Sequence, residues 1–594
     1  MPARKNAIWR LLSVLLAFSL LAAACGGDDD DDDGAEPNTT EAVETPATDG
    51  VAQTIAPTDP PETGPVAGGT LRIGTEAEVD GVNPTTSALS APGLWMGITV
   101  FDTLTVYLPD GSVAPYLAES IEPSEDLKSW TLKVREGISF HDGSPLNADA
   151  LIANFESQIG APLVGLAVRP FYEDQSVEGA TPAIEKVDEF TVKWNLLDPD
   201  ANFPASLTGQ LGMVASPTWL ADSAAADGGL DQAPVGTGPF KFESREQDSV
   251  TRFVRNDDWW GIGVVQDDIY LDAVEFYPLT DTEQRLDQLL NDDLEIIHTT
   301  VSSAVSELED RSASGEVQAQ FDDSTEESFA MINSSVPPFD DIRARQALTF
   351  ATPRDAYNEI IAENVNRPAN GPFTLDSPYY NPDVVQEADD PDRAAPLVDE
   401  YCAERGTETN PITEGPTCTD GKINIELQWS GPSIVQDRIA ELLRDDGWSE
   451  FFNVDFDELF QDEHIQQTAL GQYNVNTWRQ FGAPDPSRDK VWLMCRTAEG
   501  ISLNWPRFCD EARDALIVEA DSGVSEERFI ELQQEIAKSM NEAYTYIFFN
   551  HTIWAYGYSN SVQNVCGMTG VNDEQLRCNE NGRQQVRHMW LAEG

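Results

Sequence analysis

The chain has 594 residues, more than one hydrophobic core usually serves, so two or more lobes are expected. Apolar residues make up 40% of it, including 14 Trp and 25 Phe, enough to fill substantial cores. Against 36 basic residues stand 104 acidic ones, a formal net charge of -68 that repels phosphate backbones and anionic lipid surfaces and so argues against nucleic acid as a partner. The acidic excess is read as a solvated surface that keeps the protein soluble, with attraction of cationic ligands as the functional alternative.

At the N-terminus, Arg4, Lys5 and Arg10 precede an apolar run over 11–24, too short for an ordinary membrane span and the right length for a signal-peptide core. Residues 1–24 are therefore expected to direct export. The run ends Leu21-Ala22-Ala23-Ala24-Cys25-Gly26, which resembles the lipobox of bacterial lipoproteins, although Ala22 stands where that pattern prefers Leu, Val or Ile. The resemblance implies that Cys25 is lipidated and that the membrane is reached by this anchor only. Residues 25–67 follow as a linker: Asp28 to Asp33 is unbroken acid, and no aromatic residue lies between Gly26 and Leu71. It reads as a self-repelling tether of about 40 residues reaching on the order of 35 Å.

Folded structure is expected from about residue 68. Thr70-Leu71-Arg72-Ile73 alternates as a strand, and Asn83-Pro84 ends the extended stretch. Ser90 and Pro92 announce a helix with Leu94, Ile98 and Phe101 on one face. Trp130, Leu132 and Val134 mark a half-buried strand, His141 to Pro145 a turn, and Asn147 the cap of a helix carrying Leu151 and Phe155. A strand at Phe190 to Trp194 precedes the loop Asp198-Pro199-Asp200. Gly236-Thr237-Gly238 is a weak phosphate-loop signal, since Pro239 removes an N–H donor, and is read as a tight chain reversal leading into Phe240. Then come a strand from Val250 to Arg255, a helix with Leu286, Leu289 and Leu290, and another from Asp341 with Ile342, Ala347 and Leu348. Ser433 caps a helix with Val435, Ile439, Leu442 and Leu443; Val454 and Phe456 mark a strand; Ser525 opens a helix with Phe529, Leu532 and Ile536; and Tyr544 to Phe549 is a buried strand. The mixture is α/β, without a repeat of fixed period.

With Cys25 set aside, six cysteines remain, Cys402, Cys418, Cys495, Cys509, Cys566 and Cys578. Six cysteines allow 15 connectivities, and nearest-neighbour pairing is preferred because short loops close most often. Each bridge would stabilise by roughly 3 kcal/mol in the chain-entropy model. A metal site is the rival reading, weakened by the lack of Cys-x-x-Cys spacing and by the scatter of His141, His298, His464, His551 and His588. No nucleophile elbow, zincin helix, phosphate loop or calcium loop is present, so neither catalytic residues nor a cofactor are expected.

Pro234-Val235-Gly236-Thr237-Gly238-Pro239-Phe240, followed by Arg255-Asn256-Asp257-Asp258-Trp259-Trp260, resembles the central signature of the family 5 solute-binding proteins. Four further stretches agree in order: Gly69 to Ile73 with Asn83-Pro84; Leu117 to Ser120 with Phe140 to Gly143; Pro338 to Asp341 with Arg343, Gln346, Ala347 and Leu348; and the Trp478 segment. The resemblance implies the two-lobed type II periplasmic-binding-protein fold, with lobes joined by two crossing strands and an extra domain inserted in the first lobe. Its implied boundaries are 68–110, 212–330 and 551–594 for lobe I, 111–211 for the insertion and 331–550 for lobe II. It implies a monomer that captures a small solute or short peptide and hands it to the permease and ATPase subunits of an ABC importer. The alternative is a sensing or scaffold lipoprotein with the same fold.

Ligand contacts are expected from Trp478, Arg479, Phe481 and Asp485, with Trp95 and Ser87 from the first lobe. In peptide-binding relatives an aspartate three residues after the tryptophan holds the free amine of the peptide, and here that position is Phe481. Asp485 is left as either a substitute or a turn residue before Pro486, and Phe481→Asp is expected to bring back amine preference. At the other end of the chain, Cys25→Ser should abolish incorporation of labelled fatty acid and release the protein from its anchored state; unchanged labelling would refute the anchor.

Overall fold

The computed structural model describes residues 64–592, apart from 80, 88, 225–232, 323–325 and 499. The leader, Cys25 and nearly all of the tether lie outside the described residues. Three large sheets organise the rest. The first runs in the order Gln318–Phe321, Ala555–Tyr558, Ile296–Thr299, Thr70–Thr75, Ala273–Pro278, Val250–Arg255, Phe240–Glu246. Thr70–Thr75 lies in the middle with a parallel neighbour on each side, and Leu71 and Ile73 are wholly buried, as expected for a strand covered on both faces.

The second sheet places Glu326–Ile332 between Val475–Gln480 and Tyr546–Thr552, with Lys422–Ser430 and Phe452–Leu459 beyond as parallel neighbours. The third is a four-stranded antiparallel sheet, Ala118–Pro123, Ser129–Val134, Thr191–Asn195 and Ile184–Lys186. Trp130, Leu132 and Val134 point inward there, as the alternation predicts. Helix Ala148–Gly160 packs over it, capped by Asn147, whose side-chain oxygen accepts from the Ala150 N–H at 3.0 Å.

The chain passes between the first two sheets twice, and the two passages are partners. Gln318–Phe321 pairs antiparallel with Ala555–Tyr558 in the first sheet, and Glu326–Ile332 pairs antiparallel with Tyr546–Thr552 in the second. Between these ladders the Asp322 N–H donates to the Trp554 carbonyl at 2.9 Å. One two-stranded ribbon thus belongs to both sheets.

Helix Ala91–Val100 differs from the expected single apolar face. From Trp95 to Val100 every residue is buried, while Leu94 is only half-buried, so the helix runs through the core rather than along its surface. Ile342, expected inside, is 45% exposed at the start of its helix, whereas Ala347 and Leu348 are fully buried. The six cysteines form Cys402–Cys418, Cys495–Cys509 and Cys566–Cys578 bridges.

The Gly236-Thr237-Gly238 segment bends from Thr237 to Pro239, and its two glycines also permit a close approach. A Cβ on Gly236 would lie 2.1 Å from the Val100 oxygen, and one on Gly238 2.6 Å from the Val100 carbonyl carbon. The Gly238 N–H donates to Val100 O at 3.0 Å, while Gly236 O accepts from the His141 N–H at 2.9 Å. Both halves of the signature then meet at Asp102. Its Oδ2 accepts from Thr237 Oγ1 at 3.0 Å, from Trp260 Nε1 at 2.7 Å and from Trp259 Nε1 at 3.3 Å. Burial nonetheless lifts its carboxyl above the usual range, against the pull of Trp260, Arg587, Trp259 and Thr237. Asp102→Ala would leave these donors without their acceptor and should destabilise the protein by about 3 kcal/mol or more in urea unfolding. An unchanged midpoint would show that the signature is held by its backbone alone.

Candidate ligand-binding cleft

A cavity of about 580 Å³ lies where the three sheets meet, its wall drawn from all of them. At the ribbon end sits Arg479, on the last turn of strand Val475–Gln480. It donates across to the first sheet, to Glu76 at 3.1 Å and to Thr300 Oγ1, and its guanidinium lies 5.0 Å from the ring centre of Trp554 in the ribbon. Glu326 is 3.9 Å away on the other side. Burial pushes Glu76 upward, but Arg479 and Arg285 hold the carboxyl below its usual range. Burial prevails at Glu326, which stays raised despite Arg479.

Glu76 is held from behind. Its N–H donates to His298 Nε2 at 3.1 Å, and His298 Nδ1 donates to the Gly582 carbonyl at 2.7 Å, which makes the imidazole neutral; burial pushes it down to about 4. Trp95 lies behind that ring, 5.3 Å between centres, and is fully buried among Phe276 and Tyr556. It supports the wall and does not form it. Ser87 does reach the cavity.

Of the second-sheet residues, Trp478 opens a row of rings on the cavity wall: His464 is 5.0 Å from it, Trp505 5.8 Å, and Trp492 5.2 Å beyond Trp505. Phe481 touches the cavity, but its ring is only 5% exposed and packs among Phe329, Tyr546 and Phe548. An aspartate there would bury a charge in the core, so Phe481→Asp is expected to unfold this region rather than bring back amine preference. Asp485 serves the turn: its Oδ1 accepts from the Ser487 N–H at 3.0 Å, capping Pro486–Asp489, and it is absent from the cavity wall.

Charges on the wall are nearly all matched. Arg479, Arg488, Lys490 and Arg583 each lie within 3.2 Å of a carboxylate, on Glu76, Glu580, Asp200 and Glu580 respectively. Lys490 also meets Asp521 at 2.8 Å, and Arg496 meets Asp198 at 2.7 Å, so the Asp198-Pro199-Asp200 loop of the third sheet is tied to the second. Asp489 is the exception. No hydrogen bond or ion pair among the described residues engages its carboxylate, and at the start of helix Lys490–Leu493 it makes no cap. Burial lifts it to about 7, against the pull of neighbouring Arg488. Sequence reasoning missed Asp489, Glu76, Glu326 and Trp554; Trp492 and Trp505 left a signal in the tryptophans that follow Trp478.

Two α/β sheets joined by a paired crossing, with a cavity at the crossing and a third sheet closing it, define a two-lobed binding protein. The family model for bacterial extracellular solute-binding proteins, family 5 (middle) matches residues 112–491, and the chain belongs to that family, whose members serve ABC importers. Di/tripeptide-binding protein 2 of Pseudomonas aeruginosa is 25% identical over 500 residues, covering 82% of this chain and 90% of that protein. Heme-binding protein A of Haemophilus influenzae is 27% identical over 311 residues, covering 50% and 55%. Among solved structures, a periplasmic binding protein of Helicobacter pylori in complex with the peptide STSA has a TM-score of 0.72 at 17% identity, covering 89% of this chain and 99% of that one, which shows the fold. An Agrobacterium tumefaciens binding protein in complex with agropinic acid gives 0.72 at 19% identity, with the same coverage.

Arg479 ties the second sheet to the first beside the ribbon, through Glu76 and Thr300, while Arg488 meets Glu580 elsewhere on the cavity wall. Arg479→Ala should remove about 1.5–3 kcal/mol of charge-assisted bonding between the two sheets. Small-angle scattering at neutral pH should then give a larger radius of gyration than the wild type, with Arg479→Lys in between. Superimposable curves would rule Arg479 out as a tie.

Proposed function

We propose that the chain is a lipid-anchored carrier, not a catalyst, that takes up a small peptide or peptide-like solute bearing a free amine and presents it to an ABC permease. It acts as a monomer, held at the outer face of the cytoplasmic membrane through Cys25. Lobe I (68–110, 212–330 and 551–594) and lobe II (331–550) close on the solute, and the insertion (111–211) completes the wall. Trp478, Arg479 and Ser87 contact it; Trp95 acts through His298 and Glu76.

The observation that carries this reading is Asp489, a cavity carboxylate that makes no hydrogen bond or ion pair among the described residues and that the adjacent Arg488 only partly offsets. A desolvated carboxylate that has to bind its own proton for want of a partner will exchange that proton for an ammonium group. Supporting it are the four cations already matched by Glu76, Asp200 and Glu580, which leave an anionic solute without a free counter-charge. An amine-bearing solute also agrees with the likeness to di/tripeptide-binding protein 2 of Pseudomonas aeruginosa.

The sign of the pH dependence follows. Below about pH 7 Asp489 is protonated in the unliganded protein and the cation must displace that proton, so affinity falls by up to about tenfold per pH unit; above it the affinity levels off. Titration calorimetry with the dipeptide Ala-Phe should show this profile. Asp489→Asn should weaken binding by about 1.5–3 kcal/mol at pH 8 and flatten the dependence. Because the folded-state pKa is raised, the ionised group costs stability as pH rises from the unfolded value toward 7, so the same variant should raise the melting temperature at pH 8 and leave it unchanged at pH 4. A pH-independent affinity equal to wild type in Asp489→Asn would end this reading.

A further inference from the structure

Beside its charged groups the cavity wall carries two apolar surfaces, drawn from the second sheet and from the four-stranded sheet with its helices. One wall is the ring row of Trp478, Trp505 and Trp492, with successive centres 5.8 and 5.2 Å apart. The other belongs to the four-stranded sheet and its helices, where Leu163, Ala167 and Phe171 face the second-sheet core and Phe155, Trp194 and Phe203 lie behind them on the cavity wall. These core rings pack on one another, Phe155 on Trp194 at 6.3 Å and Trp194 on Phe203 at 5.7 Å, and also reach the cavity wall. A well-packed interior leaves few voids larger than a water molecule, so a chamber walled by aromatic and aliphatic groups is shaped for an occupant.

Its position relative to the unmatched charge gives the occupant its chemistry. Asp489 immediately precedes helix Lys490–Leu493, and Trp492 stands on that helix's first turn, so carboxylate and aromatic row are presented side by side. We propose that the solute carries, within reach of its cationic group, a bulky apolar or aromatic group that enters this chamber between the tryptophan row and helix Val164–Val168 of the four-stranded unit. This rests on the reading of Asp489 as the amine site. A purely polar solute of similar size would leave the chamber wet against apolar walls, which is unfavourable. Half-burial of Leu163 and Ala167 leaves them open to substitution without emptying the core.

Two probes separate this inference from the amine reading. The first is a pair of dipeptides of equal charge, Trp-Leu and Gly-Ser, compared by titration calorimetry; the second is the apolar fluorophore N-phenyl-1-naphthylamine, whose emission rises in a dry pocket. The wild type should bind Trp-Leu at least tenfold more tightly than Gly-Ser and should bind the fluorophore saturably. Ala167→Trp should remove both the tenfold advantage and the fluorescence while keeping Gly-Ser within about twofold. Leu163→Asn, milder and checked for folding by thermal melting, should reduce both in the same direction. If neither dipeptide binds but the fluorophore does, and both variants abolish it, the amine reading falls and the chamber stands. Equal affinities for the two dipeptides, or fluorescence unchanged or absent across wild type and both variants, would overturn the chamber.

Discussion

The structure depends on one constraint: the two passages between the large sheets are hydrogen-bonded to each other. Gln318–Phe321 with Ala555–Tyr558 and Glu326–Ile332 with Tyr546–Thr552 form ladders on either side of the gap, and the Asp322 to Trp554 bond extends the first of them toward the second. A paired ribbon resists shear along its length because sliding would break every rung, but it bends and twists at modest cost. A lobe movement that keeps the ribbon paired is therefore a rotation about it. The groups beside it, Glu76, Glu326, Arg479 and Trp554, are those whose separations respond first to that rotation.

Charge complementarity inside the cavity follows the same geometry. Arg479 from the second sheet finds Glu76 after the first strand; Lys490 finds Asp200 from the small sheet and Asp521 from its own lobe. These pairs are partly desolvated, so each compensates a burial cost rather than adding a large net stability, and their value lies in specifying which surfaces meet. Asp489 carries the same burial cost with only Arg488 pulling against it.

Much of the fold was legible because local patterns and tertiary placement agree. The alternation of Trp130, Leu132 and Val134, and the helix starts at Asn147, Asp341 before Ile342–Ala351, Ser433 before Ile434–Asp446 and Ser525 before Glu526–Glu542, are short-range signals that no distant contact overrides. Helix Ala91–Val100 was misread in its facing because a helix buried nearly all round has no periodicity to read. The site was less legible. Trp478 and Arg479 were reached through the family motif, but what singles out Asp489 is the absence of a partner, a property of three-dimensional neighbours that no sequence spacing encodes. Phe481 and Asp485 occupied positions next to the motif, and their roles in the core and the turn are set by the direction in which the chain leaves the strand after Gln480. Asp102 gave no sequence signal at all, although both halves of the family signature converge on it.

The three bridges also bear on how the chain matures. Cys402 with Cys418, Cys495 with Cys509 and Cys566 with Cys578 are sequential and never interleaved, with separations of 16, 14 and 12 residues. A polypeptide entering an oxidising space N-terminus first presents the second thiol of each pair before the first thiol of the next. If each bridge closes as its partners emerge, no more than two of these six sulfurs stand reduced together, and the native pairing is the only one offered at every stage. Order along the chain thus does the work that an isomerase does for proteins whose bridges cross.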